Sequence, residues 1–198
     1  HCNTHSSFKD KVYMSNLCQE ITLPTKPLTH IDDKDGEIAL CILSAINVGT
    51  LKDLDDLEEL CELAVRALEE IIDYQNYPIQ AAEKSTKARR SLGVGYIGLA
   101  HYLAKNKVMY NDPQAWQLVH DLSEAFQYYL LRASNKLAQE RGACDYFHRT
   151  KYSEGILPID TYKSDVDSIV KNKLNYDWDT LRKSIREHGL RHSTLSAQ

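Results

Sequence analysis

The sequence predicts a mixed α/β domain that is rich in helices. Apolar runs of strand length come first in the chain, segments with helical periodicity follow, and an extended segment comes last. Because strands can build a site while helices cover it, this order is typical of an α/β architecture. The composition, 42% hydrophobic and 26% charged over 198 residues, is that of one globular domain of ordinary size.

The first elements are extended. SNLCQEITL, residues 15–23, has an alternating residue pattern, which predicts a strand or a strand edge. The prolines of PTKP at 24–27 end it, and HIDDKDG at 30–36 predicts a turn. The apolar run EIALCILSAINVGT, residues 37–50, predicts a strand that is buried on both faces, although a short buried helix fits the same run.

The middle of the chain predicts helices. The first has Asp53 as its N-cap and places apolar residues at a 3.6-residue period as far as Ile72. SLGVGYIGLAHYLAK, residues 91–105, predicts the second. GILPIDTY at 155–162 predicts a loop or short strand, and LRHSTLSA at 190–197 predicts an extended segment.

Two further helices carry clear start and stop signals. Asp112 as N-cap, Pro113 at the first helical position and Gly142 after the last turn bound a long amphipathic helix. Asp177 and Gly189 bound the other. The chain begins with a histidine, and its last residues carry no helix-stop signal. We therefore expect one partial domain over 1–198, a fragment of a longer protein.

Charge and cysteine content restrict the function. A net charge of −4 and a pI of about 6.1 predict no large basic face, so nucleic acid is not an expected partner. No apolar run approaches the roughly 20 residues that cross a membrane, and no membrane association is expected. The five cysteines are odd in number and irregularly spaced, which favours a reducing cytoplasm, or a host cytoplasm for a viral protein.

Three reactive residue types stand at alternate positions: Asn16, Cys18 and Glu20. In an extended segment they share one face, with roughly 6.5–7 Å between successive members, while Leu17 and Gln19 face the other way. A thiol between an amide and a carboxylate can abstract a hydrogen, attack a carbonyl or bind a metal. The same pattern fits an edge strand with a buried cysteine, so residue types alone leave the choice open.

Two of these chemistries lack further support in the sequence. A protease-type nucleophile needs a histidine partner, for which His30 and His101 are available. A metal site needs ligands at a recognised spacing, and the sequence has no CxxC pair. No metal ligand is therefore predicted.

The longer segments are more specific. SNLCQEITLPTKP followed by GEIALCILSAINVG resembles the large subunit of class I ribonucleotide reductase. The same family is matched, in the same order, by HCNTHS, DYQNYP, RRSLGVG, QYYLLRASNKLAQERGAC, GILPIDTYK and HGLRHSTLSA. The resemblance covers essentially the whole chain. It implies part of a ten-stranded α/β barrel with the active-site cysteine on an internal loop, helix-rich in this segment.

The resemblance also implies site residues. Cys18 matches the residue that becomes a transient thiyl radical and abstracts the 3′-hydrogen of a ribonucleoside diphosphate. Glu20 matches the carboxylate that takes the 3′-hydroxyl proton, and Asn16 matches an amide that hydrogen-bonds the substrate. Substrate contacts are implied for Asn16, Leu17, Cys18, Gln19 and Glu20. Gln19 departs from a family position that is often apolar, and its side chain is expected to point away from the substrate.

Cys41 matches one of two cysteines that supply electrons and end as a disulfide, and its family partner lies upstream of this chain. The resemblance implies that a metal-containing small subunit supplies the radical and that thioredoxin or glutaredoxin supplies reducing equivalents. A large-subunit homodimer is implied, and ATP and dNTP effectors bind outside this segment. No cofactor is expected on the segment itself, and the isolated chain is expected to be inactive.

Two alternatives stay open. An adenosylcobalamin-dependent, class II reductase also needs a thiyl cysteine with Asn and Glu neighbours. A non-catalytic helical interaction domain would make Cys18 incidental.

Three other features are interpreted as structural. GVGYIG, residues 93–98, satisfies GxGxxG but follows no predicted strand, so we interpret its glycines as sites of close helix packing. Tyr128 and Tyr129 are expected to pack mid-helix rather than to relay a radical. Arg89 and Arg90 precede the predicted second helix and are also assigned a structural role.

Overall fold

The computed structural model describes residues 7–16, 19, 21–171 and 174–196. Its strands are β1 (Met14–Ser15), β2 (Thr22–Leu23), β3 (Ile42–Asn47) and β4 (Leu92–Ile97). Its helices are α1 (Asp56–Tyr74), α2 (Gln80–Arg89), α3 (Leu99–Lys105), α4 (Pro113–Arg141) and α5 (Trp178–His188). Short 3₁₀ turns occupy Val48–Thr50, Phe147–Arg149, Lys151–Glu154, Pro158–Asp160 and Ser164–Ser168. The mixed helix-and-sheet class is therefore confirmed.

The described strands form two pairs. β1 and β2 are antiparallel and make a short hairpin. β3 and β4 are parallel and in register from Ile42 opposite Leu92 to Asn47 opposite Ile97. Parallel neighbours need a long crossover, and α1 and α2 supply it here.

A third extended segment runs beside β4. We call residues 190–196 the exit segment. Leu92 N donates to Thr194 O over 3.1 Å, and Val94 N donates to Leu195 O over 2.7 Å. Val94 also forms a parallel bridge with Ser196. The prediction of an extended segment after the last helix is confirmed over its described residues.

The predicted helix over 91–105 is wrong in its first half. Residues 92–97 form β4, and only Leu99–Lys105 are helical. Gly98 separates the two elements with a φ of 81°, a backbone conformation that glycine adopts without strain. Gly93 and Gly95 therefore lie on a strand and do not serve close helix packing. Glycine is a poor helix former, and Leu92 and Val94 alternate with it as buried strand residues.

Two other helix predictions need correction. α1 begins at Asp56 rather than directly after Asp53, because the Asp56 carboxylate accepts the N–H groups of Lys52 and Asp53 in the preceding turn. α2, Gln80–Arg89, was not predicted. Its sequence is mainly polar and alanine-rich, so it lacks a wide apolar stripe.

The last two predicted helices are confirmed. α4 begins with Pro113 after its N-cap Asp112 and ends before Gly142. α5 ends before Gly189, and the Asp177 side chain accepts a hydrogen bond of 3.0 Å from a backbone N–H of its first turn. None of the helices among the described residues is long and apolar enough to cross a membrane.

The hydrophobic core lies on one side of the β3–β4 sheet. Helix α1 contacts β3, β4 and α4. Tyr96 of β4 meets Phe126 of α4 edge to face, with ring centroids 5.5 Å apart. Burying one such ring contributes roughly 1.5–3 kcal/mol. Other fully buried side chains are Leu57, Ile72, Leu92, Leu122, Leu130 and Ile185.

The opposite face of the sheet is open. Leu43 and Ile97 point to this side and are 60% and 57% exposed. The expectation that the 37–50 run is buried on both faces is therefore wrong for the described part of the chain, which covers one face only. An apolar run cannot indicate which parts of a protein cover each of its faces.

An aromatic cluster joins α4 to α5. The Tyr128 ring stacks on Tyr176 with centroids 4.7 Å apart and meets Trp178 edge to face at 5.3 Å. Tyr129 is buried and also contacts Tyr176. The interpretation of Tyr128 and Tyr129 as packing residues is confirmed by these contacts.

Candidate active site

The segment that carries the predicted triad is a hairpin loop. Asn16 N donates to Ile21 O over 3.2 Å, directly after β1. The Asn16 side-chain oxygen accepts the Ile21 N–H at 2.9 Å, so this amide closes the loop across its ends. Gln19 donates its N–H to Asn16 O and has a φ of 64°. Asn16 therefore has a definite structural role within the loop.

This geometry corrects the basis of one expectation. The alternation argument assumed one strand over 15–23, but the strands stop at Ser15 and resume at Thr22. A left-handed residue at Gln19 breaks the two-residue alternation, so strand alternation is no longer a basis for predicting that the triad shares one face. Leu17, Cys18 and Glu20 lie outside the described residues, and their predicted roles stay predictions.

Cys41 directly precedes β3 and is half-buried. Because strand side chains alternate, its position is in phase with Leu43 and Ala45, on the open face of the sheet. It forms no disulfide with Cys61 or Cys144, the other two described cysteines. The predicted redox role of Cys41 stays a prediction.

The other two described thiols are buried. Cys61 lies on the core face of α1, and Cys144 follows α4. Burial raises the pKa of each thiol to about 12. Because the thiolate is the reactive form, both are expected to be inert.

A buried charged cluster anchors the exit segment, and sequence reasoning missed it. Glu69 of α1 has no exposed surface and accepts hydrogen bonds from Arg90 at 2.7 Å and from Arg191 at 2.6 Å. His192 Nε2 lies 3.0 Å from the same carboxylate. The other ring nitrogen lies 2.9 Å from Ser134 Oγ of α4. One carboxylate thus joins α1, β4's N-terminal flank and the exit segment.

The ionisation states of this cluster follow from its contacts. Burial raises the pKa of Glu69, but hydrogen bonds from His192 and two arginines outweigh it and lower the pKa from 4.5 to about 2. Burial lowers the pKa of His192 below its ordinary 6.5, opposed by the Glu69 hydrogen bond. A charged Glu69 and a neutral His192 result. A neutral ring that donates through Nε2 and accepts at Nδ1 satisfies both partners.

Arg89 and Arg90 have structural roles, as predicted, but their position relative to the helices differs from the prediction. Arg89 ends α2 and Arg90 leads into β4, so they follow a helix rather than precede one. Both are buried and form ion pairs with carboxylates. The two histidines considered as nucleophile partners, His30 and His101, lie on the surface.

An open groove lies beside the hairpin. It encloses about 580 Å³ and is lined mainly by apolar atoms of the hairpin flanks and of the segment before β3. Its lining residues include Tyr13, Met14, Leu28 and Ile38, together with Lys26. The groove brings both flanks of the loop to one surface.

Residues 1–198 match the sequence model of the ribonucleotide reductase barrel domain. The chain therefore belongs to the ribonucleotide reductase family. The resemblance seen in the sequence is confirmed over the entire chain.

Individual relatives agree with this assignment. All of this chain is 61% identical to ribonucleoside-diphosphate reductase subunit alpha of Haemophilus influenzae and 58% identical to ribonucleoside-diphosphate reductase 1 subunit alpha of Escherichia coli. The subunit alpha of enterobacteria phage T4 is 44% identical over 96% of the chain. The chain spans 26% of the length of the two bacterial relatives and 24% of the phage relative.

Proposed function

We propose that the chain is the catalytic segment of a ribonucleoside-diphosphate reductase, which converts ribonucleotides to 2′-deoxyribonucleotides for DNA synthesis. One observation carries the proposal. The family match covers all 198 residues and includes an intact Asn16, Cys18 and Glu20 in the loop after β1. The contacts of Asn16 support it, because its side-chain oxygen accepts the Ile21 N–H and so joins the two ends of this loop.

The proposed chemistry assigns each residue a step. A thiyl radical on Cys18 removes the 3′-hydrogen of the substrate, and Glu20 takes the 3′-hydroxyl proton. Asn16 hydrogen-bonds the substrate, and the backbone from Leu17 to Gln19 lines the pocket. The 2′-hydroxyl leaves as water, and Cys18 later returns a hydrogen to the 3′ carbon.

The electrons come from a thiol pair. In sum, one ribonucleotide and two thiols give one deoxyribonucleotide, one disulfide and one water. Cys41 is proposed as one of these thiols, and its position in phase with the open face of the sheet supports this role. Its partner thiol is proposed to lie in another part of the subunit.

The proposed domain is one partial barrel over 1–198 within a ten-stranded α/β barrel. Two parallel strands and a parallel exit segment, covered by helices on one face, agree with a section of such a barrel. The open face is then directed at the barrel interior. An enclosed interior protects radical intermediates from stray donors.

The partners proposed are a ribonucleoside diphosphate, a metal-containing small subunit that supplies the radical, and thioredoxin or glutaredoxin. A homodimer of large subunits, effector sites outside this segment and a cytoplasmic location complete the proposal. The name subunit alpha, which the relatives carry, supports a second subunit.

The two alternatives have less support. A non-catalytic helical interaction domain does not account for a family match over the entire chain. An adenosylcobalamin-dependent reductase differs in its radical source. Assays of the full-length subunit with a small subunit, or with adenosylcobalamin alone, distinguish the two.

The decisive experiment is Cys18→Ser in the full-length subunit. We expect turnover to fall about 1,000-fold or more, because the hydroxyl cannot replace the radical-bearing sulfur, while substrate binding is kept. Cys144→Ser is the matched control, since this buried thiol has no proposed role. Turnover that survives Cys18→Ser refutes the proposal, and so does an equal loss of turnover in both variants.

A further inference from the structure

The hairpin loop is fastened at both of its flanks, which we call the hairpin roots. The N-terminal root is residues 8–10, where Lys9 N donates to Arg149 O over 2.9 Å. The C-terminal root is the bridge between Lys26 and Glu37, whose backbones exchange hydrogen bonds of 3.1 and 3.0 Å. Only a few residues separate each root from β1 or β2.

The buried Arg89 side chain hydrogen-bonds to both roots. Arg149 also reaches both, with ion pairs to Asp10 at 2.8 Å and to Glu37 at 3.7 Å. Arg89 Nη1 donates to Asp10 Oδ2 over 2.9 Å at the N-terminal root. Its Nη2 donates to Glu37 Oε2 over 2.8 Å at the C-terminal root. The Arg89 and Glu37 side chains are 3% and 6% exposed, so their contact is shielded from water, whereas the Asp10 side chain is 20% exposed. The planar guanidinium can reach two carboxylates at once, which a lysine ammonium does less well.

A second layer holds this arginine in place. Arg149 Nε donates to the other Asp10 oxygen over 2.9 Å. The Tyr146 ring lies 5.0 Å from the Arg89 guanidinium and 4.4 Å from that of Arg149. Burial raises the pKa of Asp10, but the two arginines outweigh it and lower the pKa, so the carboxylate stays charged.

The hairpin depends on these roots. β1 and β2 are two residues each, and an isolated two-stranded hairpin is marginally stable at best in water. Tertiary contacts at its base must therefore fix the loop. A reacting group must be held to within about 0.5 Å of its productive position.

We infer that Arg89 is a positioning residue for the catalytic loop, which it sets by joining Asp10 and Glu37 at the two hairpin roots. The inference rests on the proposed function for its catalytic part. Its structural part stands on the contacts alone.

The test uses the full-length subunit with Arg89→Gln. We expect amide hydrogen exchange to rise about tenfold or more in the peptide 11–25, because the roots separate, and kcat to fall by a similar factor. Arg89→Lys is expected to restore part of both, since one ammonium keeps one carboxylate paired. Asp10→Asn, which loosens one root only, is the milder variant if Arg89→Gln does not fold.

Arg90→Gln is the matched control. Arg90 is the next residue and equally buried, but its carboxylate partners are Glu69 and Asp73, away from the hairpin. Its loss is expected to lower the thermal midpoint while exchange in 11–25 stays within about twofold of wild type. Equal exchange in 11–25 for both variants overturns the inference.

If Arg89→Gln raises exchange in 11–25 but leaves kcat unchanged, the inference is also overturned, because turnover then does not depend on the Arg89 contacts at the roots. Failure of the proposed function is seen separately, as turnover that survives Cys18→Ser. The exchange measurement does not depend on enzyme activity, so the two failures remain distinct.

Discussion

Glu69 Oε2 and His192 Nε2 lie 3.0 Å apart, and neither side chain has any exposed surface. This contact connects the middle of α1 to the exit segment across more than a hundred residues of sequence. Removing one member of a buried, paired group leaves the others without compensation, which is more costly than losing an exposed pair.

Glu69→Gln is therefore expected to lower the free energy of unfolding by about 3 kcal/mol. The amide keeps the shape but removes the buried negative charge that Arg90 and Arg191 share. The measurement is the thermal midpoint of the full-length subunit. Glu70→Gln is the control, because this neighbouring carboxylate is 62% exposed in its pair with Arg141. We expect the control to change stability by less than about 1 kcal/mol, and equal losses in both variants contradict the prediction.

Stability is expected to fall as the pH falls below 6.5. His192 has a lowered pKa in the fold, so between that value and 6.5 the unfolded chain binds a proton that the folded chain does not. Glu69 acts in the same direction at lower pH, from 4.5 towards about 2. His192→Asn should reduce the slope of the midpoint between pH 6.5 and 5. If the thermal midpoint of His192→Asn depends on pH as steeply as that of the wild type, His192 is not the cause of the pH dependence.

The two roles of Asn16 can be separated by two substitutions. Asn16→Ala removes the oxygen that accepts the Ile21 N–H, so exchange at Ile21 is expected to rise with a loss of about 1 kcal/mol. Asn16→Asp keeps an acceptor oxygen but removes the amide donors. We expect turnover to fall in both variants, with faster exchange at Ile21 in Asn16→Ala only. Fast exchange in both would show that the loop needs the amide as a whole.

Gly98→Ala and Gly142→Ala are both expected to destabilise the fold, for different reasons. Gly98 has φ 81° and ψ 18°, a left-handed helical conformation that costs alanine about 1 kcal/mol. A methyl group there would also collide with the Asn47 side-chain oxygen. Gly142 has open space, but its φ of 86° and ψ of 156° belong to a region that is essentially restricted to glycine. We expect each variant to lose about 2–3 kcal/mol in thermal unfolding, and an unchanged thermal midpoint in either variant contradicts the corresponding cause.

Cys41→Ser is expected to lower steady-state turnover about 100-fold or more with thioredoxin as reductant, because the disulfide cannot form. Substrate binding should be unchanged. Cys61→Ala, a loss of a core thiol, is expected to keep turnover at a lower thermal midpoint. Full turnover in Cys41→Ser would remove Cys41 from the proposed redox pair.

Local signals explain what the sequence predicted well. Helices α4 and α5 have caps and stops that act within one turn, and both were found where expected. β4 gives no clear strand signal, because its glycines weaken the strand pattern and its partner β3 is far away in the sequence. The polar helix α2 has no apolar stripe to reveal it.

The sequence predicts the residue types of the candidate site but not its geometry. The family resemblance indicates the Asn16 segment, and that assignment stays a prediction, while the assumed strand alternation fails where Gln19 has a left-handed backbone conformation. The ion pairs of Arg89 with Asp10 and Glu37 join residues 79 and 52 positions apart. No single-sequence periodicity contains such separations, so the folded structure was needed to find them.

The aromatic cluster between α4 and α5 gives the protein an intrinsic optical reporter. Trp178 is 4% exposed, donates its indole N–H to Glu124 over 2.9 Å and meets the Tyr128 ring, whereas Trp116, the other tryptophan of this chain, is 39% exposed. Undocking of α5 would move the Trp178 indole into water and shift its emission to longer wavelength. Helix detachment could thus be followed by fluorescence without an added label.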